Sequence, residues 1–138
     1  MSEGARTLSR SNGKLRYSPK LLGENPSKWW VVLDCHKDIG VYYRHLHWLA
    51  NHRCRQIQRP AWDVHITVVR DEEPPCKEFW EAYASEEVTF DYDPTIRTDG
   101  AYYWLEVVCP RLLDLRSELG LSREPEIPLH LSIGHGLT

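Results

Sequence analysis

Two four-residue strings of this chain carry side chains suited to proton transfer at a phosphate. The strings HITV and HLSI begin at His65 and His130, so each places a hydroxyl, Thr67 or Ser132, two residues after its histidine. In a β-strand, residues i and i+2 share one face about 7 Å apart, so each string would present its imidazole beside its hydroxyl. Imidazoles titrate near neutral pH and can supply a base and an acid. The strings therefore predict metal-independent cleavage of a phosphate ester.

The composition is that of a folded domain with little excess charge. The chain has 138 residues, six Trp, seven Tyr and a formal charge of −3. This length suits one domain with a sizeable core, and the small negative charge excludes a polycation that binds nucleic acid by bulk attraction. Four arginines nevertheless lie within residues 41–62, where there is no acid. Two interpretations stay open: a solvated basic face, or an anionic ligand near the segment that leads into His65.

Cysteine spacing and hydropathy indicate a cytoplasmic protein. Cys35, Cys54, Cys76 and Cys109 form no CxxC pair and follow no zinc spacing. No apolar run reaches membrane-spanning length, and residues 1–16 lack the apolar core of a signal peptide. We therefore expect reduced thiols, no metal, no cofactor, no membrane partner and a cytoplasmic location, which includes the cytoplasm of a bacterium that hosts a virus.

Turn residues and hydrophobic periodicity predict a chain of alternating strands and helices. Strands are expected at 29–34, 63–70, 88–92, 101–108 and 128–133, and helices at 39–53, 77–84 and 111–119. Asp99-Gly100 is a typical two-residue hairpin turn. Residues 1–28 are expected to form a basic N-terminal arm and a turn segment, followed by one domain over 29–138.

The order strand, Cys, helix, loop, motif strand occurs twice. The run at 30–35 matches the run at 104–109, and each is followed by one of the two strings. This repeat predicts an α+β fold of two lobes, at about 29–70 and 101–138, with 71–100 as an inserted segment. The strand–helix–strand half-units would be related by a pseudo-two-fold axis, with antiparallel sheets around a central cleft and the motif strands side by side.

The two strings and this layout resemble the 2H phosphoesterase superfamily, which is named for two His–x–Ser/Thr motifs. The resemblance covers roughly residues 29–135, and its one departure is Ser132 in place of a second Thr. It implies that His65 and His130 are the catalytic acid–base pair and that Thr67 and Ser132 bind phosphate oxygens. Which histidine is the base stays open.

The resemblance also implies a substrate class. Members of the superfamily include phage enzymes that destroy cyclic oligonucleotide signals of CBASS-type immunity, and the segment Tyr17-Ser18-Pro19-Lys20 is similar to a substrate-contacting segment of those enzymes. The chain is short and its motif loops have little of the basic surface that a long RNA requires. We therefore expect cleavage of 3′–5′ bonds in a small cyclic oligonucleotide or another small nucleotide phosphodiester.

Two alternatives remain beside this activity. One is an RNA 2′,3′-cyclic phosphodiesterase or 2′–5′ ligase-like enzyme, and the other is a non-catalytic sponge that sequesters a cyclic nucleotide. The oligomeric state stays open.

Aromatic side chains near the motifs are the candidates for contacts with nucleobases. Tyr17, Trp62 and Trp104 are the predicted substrate-binding residues, because a base stacked on an aromatic ring gains about 1–3 kcal/mol. Tyr17 is expected to lie outside the strands and Trp62 at the mouth of the first motif strand. His135, five residues after His130, is a more distant candidate for the site.

Overall fold

The computed structural model describes residues 7–18, 28–51, 57–60 and 63–136, which form eight β-strands, two α-helices and one 3-10 turn. The strands are β1 (Ser9–Tyr17), β2 (Trp30–Cys35), β3 (Ile57–Gln58), β4 (His65–Arg70), β5 (Glu87–Tyr92), β6 (Arg97–Thr98), β7 (Tyr102–Val108) and β8 (His130–Gly136). The helices are α1 (Lys37–Ala50) and α2 (Pro110–Glu118), and Lys77–Phe79 forms one 3-10 turn. None of the helices in these ranges is long and apolar enough to cross a membrane.

Six of the strands close into an antiparallel barrel. The order around the barrel is β8, β4, β2, β1, β5 and β7, and β7 pairs again with β8; β3 extends β8 and β6 extends β7. The predicted two-lobed α+β fold is therefore wrong. The two halves share main-chain hydrogen bonds on both sides, through β4 with β8 and β1 with β5, so they form one barrel instead of two lobes around a cleft.

The N-terminal strand overturns the prediction of a basic arm for residues 9–16. β1 lies between β2 and β5 and pairs with both. Only Gly13, Leu15 and Tyr17 are buried in β1, so the alternation of buried and solvent-facing residues that is typical of a strand occurs only in its last five residues. A Cβ on Gly13 would lie 2.4 Å from the carbonyl oxygen of Asp34, so glycine permits the close approach of β1 to β2.

One apolar cluster joins the barrel to both helices. It takes side chains from β1, β2, β4, β5, β7 and β8, together with Tyr43 of α1 and Leu112 and Leu115 of α2. α2 begins at Pro110, one residue before the expected range, since proline suits the first helical position. α1 begins at Lys37, two residues before its expected range, and the helix expected at 77–84 is only the short 3-10 turn.

A buried arginine fastens α2 to the first motif strand. Arg116 is 1% exposed, and its Nη1 and Nη2 donate to the two carboxylate oxygens of Glu72 at 2.8 and 2.9 Å. The same guanidinium donates to the carbonyl oxygens of Val68 at 2.9 Å and Ser122 at 2.8 Å. Because Val68 belongs to β4, this cluster of hydrogen bonds fixes the strand that begins at His65.

We expect Glu72→Gln to reduce the acid sensitivity of the fold. The Arg116 guanidinium holds the pKa of Glu72 below its usual range, so the folded state keeps the carboxylate ionised at a lower pH than the unfolded chain does. That contribution to stability is complete above the unfolded pKa of about 4.3 and is lost as the pH falls through the folded pKa. Urea unfolding below about pH 5 should therefore show a steeper loss of stability in the wild type than in the variant. Equal slopes would contradict this assignment.

Candidate active site

The two motif strands are hydrogen-bonded neighbours, and their register places the polar residues of one string beside those of the other. β4 and β8 are antiparallel, with His65 opposite Ser132. Ile66 is opposite Leu131, and the same antiparallel register continued by one residue aligns Thr67 with His130. All four side chains are half-buried, whereas Ile66 and Leu131, the middle residues between each histidine and its hydroxyl, are buried in the core. The structure thus brings the four predicted catalytic residues to one face, with the histidines on a diagonal about 7–8 Å long between backbone positions.

Each imidazole is oriented by a backbone carbonyl two residues before it. Nδ1 of His65 is 2.8 Å from the carbonyl oxygen of Asp63, and Nδ1 of His130 is 2.8 Å from that of Pro128. A carbonyl oxygen only accepts, so Nδ1 carries the proton and Nε2 of the neutral ring is the nitrogen that can accept one. Asp63 adopts a left-handed backbone conformation (φ 58°) at the turn into β4. The two histidines therefore share one tautomer and one kind of support.

The electrostatic surroundings hold both histidines neutral at pH 7. Burial lowers the pKa of His65 and is the main cause, and His130 and Arg70 lower it further. Burial also lowers the pKa of His130, again assisted by Arg70. The hydrogen bonds to the carbonyls of Asp63 and Pro128 act in the opposite direction on the pKa of each ring, and Asp34 does so on His65 alone. The site therefore has two bases ready to accept a proton, and protonating either ring costs free energy.

A carboxylate lies across from each histidine, on the strand outside the motif pair. Asp34 of β2 is opposite His65, and Glu106 of β7 is opposite His130. Arg16 donates to both oxygens of Asp34 at 2.7 and 2.9 Å. Neither carboxylate was predicted from the sequence. Each carboxylate lies near the end of the strand that precedes a helix, and this shared place could have identified them. Because one is Asp and the other Glu, a search for repeated residues does not find the pair.

The first motif strand contains a bulge that re-aims Arg70. Thr67 pairs with β2 directly, but the register then skips Val68. Val68 and Val69 are consecutive and both buried, and Arg70 returns to the face of Thr67, opposite Trp30. Without the extra residue, strand alternation would turn Arg70 toward the core. Its guanidinium carbon lies 5.7 Å from the centroid of the Trp30 ring. No feature of the sequence singled out this arginine.

The second motif strand contains the same bulge. Its register with β7 skips Ile133, and Ile133 and Gly134 are both buried before His135 returns to the exposed side opposite Tyr102. The burial sequence from His130 to His135 repeats that of β4. Tyr102 is thus the counterpart of Trp30, so the match of 30–35 with 104–109 is two residues out of register. A shift of two residues preserves the face of a strand, which is why the mismatch is not visible in the hydrophobic pattern.

The three predicted aromatic contacts have different outcomes. Trp104 lies opposite Ser132, and its ring centroid is 6.0 Å from that of His130, so it borders the predicted catalytic residues. Tyr17 ends β1 on the core side of the sheet, where its ring meets Trp80 at 5.1 Å and burial raises its pKa to about 12. The expectation that it lies outside the strands is wrong, and it is not brought to the histidines. Trp62 lies outside the described residues.

Other features of the site bear on charge and metals. Arg44 of the basic segment donates from Nη1 to the carbonyl oxygen of Ile133 at 2.8 Å and so joins α1 to β8. Arg53 and Arg55 of that segment lie outside the described residues. Among the residues that are described, no group of three or more His, Cys, Asp or Glu side chains is placed to hold a metal ion.

Comparison with known proteins adds no relative. The chain matches no family model, no curated protein and no solved structure.

Proposed function

We propose that this protein is a metal-independent phosphodiesterase of the 2H type that cleaves a small nucleotide phosphodiester. The proposal depends on the arrangement of four side chains on the paired strands β4 and β8, which we call the quartet: His65, Thr67, His130 and Ser132. Two imidazoles with the same carbonyl-supported tautomer lie on a diagonal, and each has a hydroxyl residue directly across the strand pair. A purely structural role does not require this chemistry twice on one polar face.

The chemistry needs one neutral and one protonated histidine. Nε2 of the neutral ring removes a proton from water or from the 2′-hydroxyl of the substrate, and that oxygen attacks phosphorus. The bond to the departing ribose oxygen breaks as the protonated ring donates its Nε2 proton to it. Thr67 and Ser132 donate hydrogen bonds to the non-bridging oxygens, where negative charge develops. The neutral histidine gains one proton and the protonated histidine loses one. Proton exchange with solvent then restores the starting protonation of the pair.

The proposed substrate is a small cyclic oligonucleotide signal. Trp104, beside His130, offers a stacking surface for a nucleobase next to the reacting phosphate. The net charge of −3 gives little attraction for a long polyanion. The proposal places the protein in the bacterial cytoplasm, which is the host's cytoplasm if a phage encodes it.

A substrate panel tests the proposal. We would incubate the protein in EDTA with cyclic di- and trinucleotides and with 2′,3′-cyclic mononucleotides, and identify products by mass spectrometry. Cleavage of the cyclic oligonucleotides in EDTA supports the proposal. Exclusive turnover of the 2′,3′-cyclic mononucleotides would point instead to an RNA-end-processing enzyme. Recovery of an intact, tightly bound cyclic oligonucleotide after denaturation would identify a sponge.

We expect the rate to have its maximum on the acidic side of neutrality. The active form has one histidine charged and one neutral, so its population peaks between the two pKa values. Burial lowers both of them, which places the peak below the ordinary histidine value of about 6.5. Above it, kcat/KM should fall about tenfold per pH unit as the acid is lost. A rate that rises steadily through about pH 8 would contradict the histidine pair.

A further inference from the structure

We propose that Arg70, seated on Trp30, binds a second phosphate of the substrate beside the one that is cleaved. This inference rests on the proposed function and specifies its substrate: a nucleotide with at least two phosphates, such as a cyclic dinucleotide. A substrate with a single phosphate would leave this arginine unused.

The position of Arg70 carries the proposal. The bulge at Val68 returns Arg70 to the face of Thr67, about one two-residue strand step, or about 7 Å, beyond it. This location is past the quartet, toward the C-terminal end of β4, and not between the two histidines. The positive charge nevertheless reaches both histidines, since it lowers the pKa of each. A guanidinium here can hold an anion that neighbours the reacting phosphate, and its planar fork suits phosphate oxygens.

The surroundings keep this guanidinium available to a ligand. Glu72, whose charge acts on Arg70, has both carboxylate oxygens engaged by Arg116, and it meets Arg70 through the backbone N–H at 3.1 Å. The Trp30 ring supports the guanidinium through a cation–π contact. Burial of part of the side chain lowers the pKa of Arg70, yet Arg70 is exposed and can meet an anion from solvent. Trp30 therefore acts as a positioning residue for Arg70.

The opposite end of the site differs at the matching position. His135 occupies in β8 the place of Arg70 in β4, and the exposed ring of Tyr102 replaces that of Trp30. An imidazole is a weaker and conditional cation, whereas a guanidinium is charged at every physiological pH. The difference gives the site a direction, with the second phosphate at the Arg70 end.

Equilibrium binding tests the inference separately from cleavage. In a His65→Asn background, we would measure the dissociation constant of cyclic di-AMP from the change in tryptophan fluorescence over a range of salt concentrations. Arg70→Gln should raise the dissociation constant about tenfold or more, as expected for the loss of a charge-assisted hydrogen bond. It should also reduce the slope of log affinity against log salt concentration by about one. Arg70→Lys should retain part of the affinity, since it keeps the charge.

Two matched controls isolate the site. His135→Gln changes the corresponding position of the other half, and Arg10→Gln removes the same charge from an arginine that pairs with Asp91 across β1 and β5. Both should keep the dissociation constant within about twofold, well below the tenfold loss expected for a charged contact.

The outcomes separate the inference from the proposed function. An unchanged dissociation constant in Arg70→Gln, or an equal loss in either control, overturns the inference. So does an equally large loss for a dinucleoside monophosphate, because Arg70 would then contact the cleaved phosphate itself. Binding that depends on Arg70 without any cleavage by the wild type refutes the proposed function alone.

Discussion

His65→Asn and His130→Asn should each reduce cleavage about 10²–10⁴-fold while the fold and substrate binding persist. Asparagine can donate from its side-chain amide to the carbonyl that Nδ1 now contacts, of Asp63 or Pro128, but it cannot transfer a proton at neutral pH. Single-turnover rates on a cyclic dinucleotide would measure the loss. Because the two rings act as a unit, the double variant should be little slower than the slower single variant.

The control for these variants is His36→Asn. His36 precedes α1, its Nε2 lies 2.8 Å from the side-chain oxygen of Asn12, and it is not one of the four motif residues. It should keep the wild-type rate. Full activity in either motif variant, with circular dichroism and binding unchanged, would exclude the acid–base pair.

Arg116→Ala should cost about 3–5 kcal/mol of unfolding free energy, the usual result of removing one partner of a buried ion pair. The substitution leaves Glu72 without its bidentate donor and the carbonyl oxygen of Val68 without its guanidinium partner. Urea unfolding at pH 7 measures the effect, and the strand that carries His65 and Thr67 should lose hydrogen-exchange protection first, because α2 no longer fastens it.

The matched control is Arg123→Ala. Arg123 pairs with Asp114 on the surface, where both side chains are about half exposed, so its removal should cost less than about 1 kcal/mol. A cost as small as this for Arg116 would mean that the buried cluster contributes little to stability and that α2 is held by its leucines alone.

The strands and helices were largely predictable, but their arrangement was not. The runs at 29–34 and 101–108 are apolar and β-branched or aromatic, and β2 and β7 lie within one residue of those bounds. β1 was missed because Ser9 to Asn12 are polar and its buried residues begin only at Gly13. Without β1 between β2 and β5, the remaining strands suggest two separate sheets. Closure of the barrel depends on pairings between residues far apart in sequence, which hydrophobic periodicity does not encode.

The four motif residues could be picked out of the sequence because their pattern repeats, whereas the residues around them differ between the two halves. His65 and His130 occur in identical local patterns, so sequence alone picked them out. Asp34 and Glu106 occupy matching places with different side chains, and Arg70 reaches the site only because a bulge changes the face of β4. A bulge has no reliable signature in the hydrophobic pattern, since two consecutive buried residues also fit a fully buried strand.

The two motif strands belong to one continuous chain, and this has a consequence for how the site can evolve. If two identical half-length chains formed the same pairing, every substitution would appear at both ends of the β4–β8 pair at once. In a single chain, one end can change alone, as the replacement of the Arg70–Trp30 pair by His135 and Tyr102 illustrates. Covalent linkage thus permits a nearly symmetric scaffold to recognise an asymmetric ligand, or to bind a symmetric one in a single productive orientation.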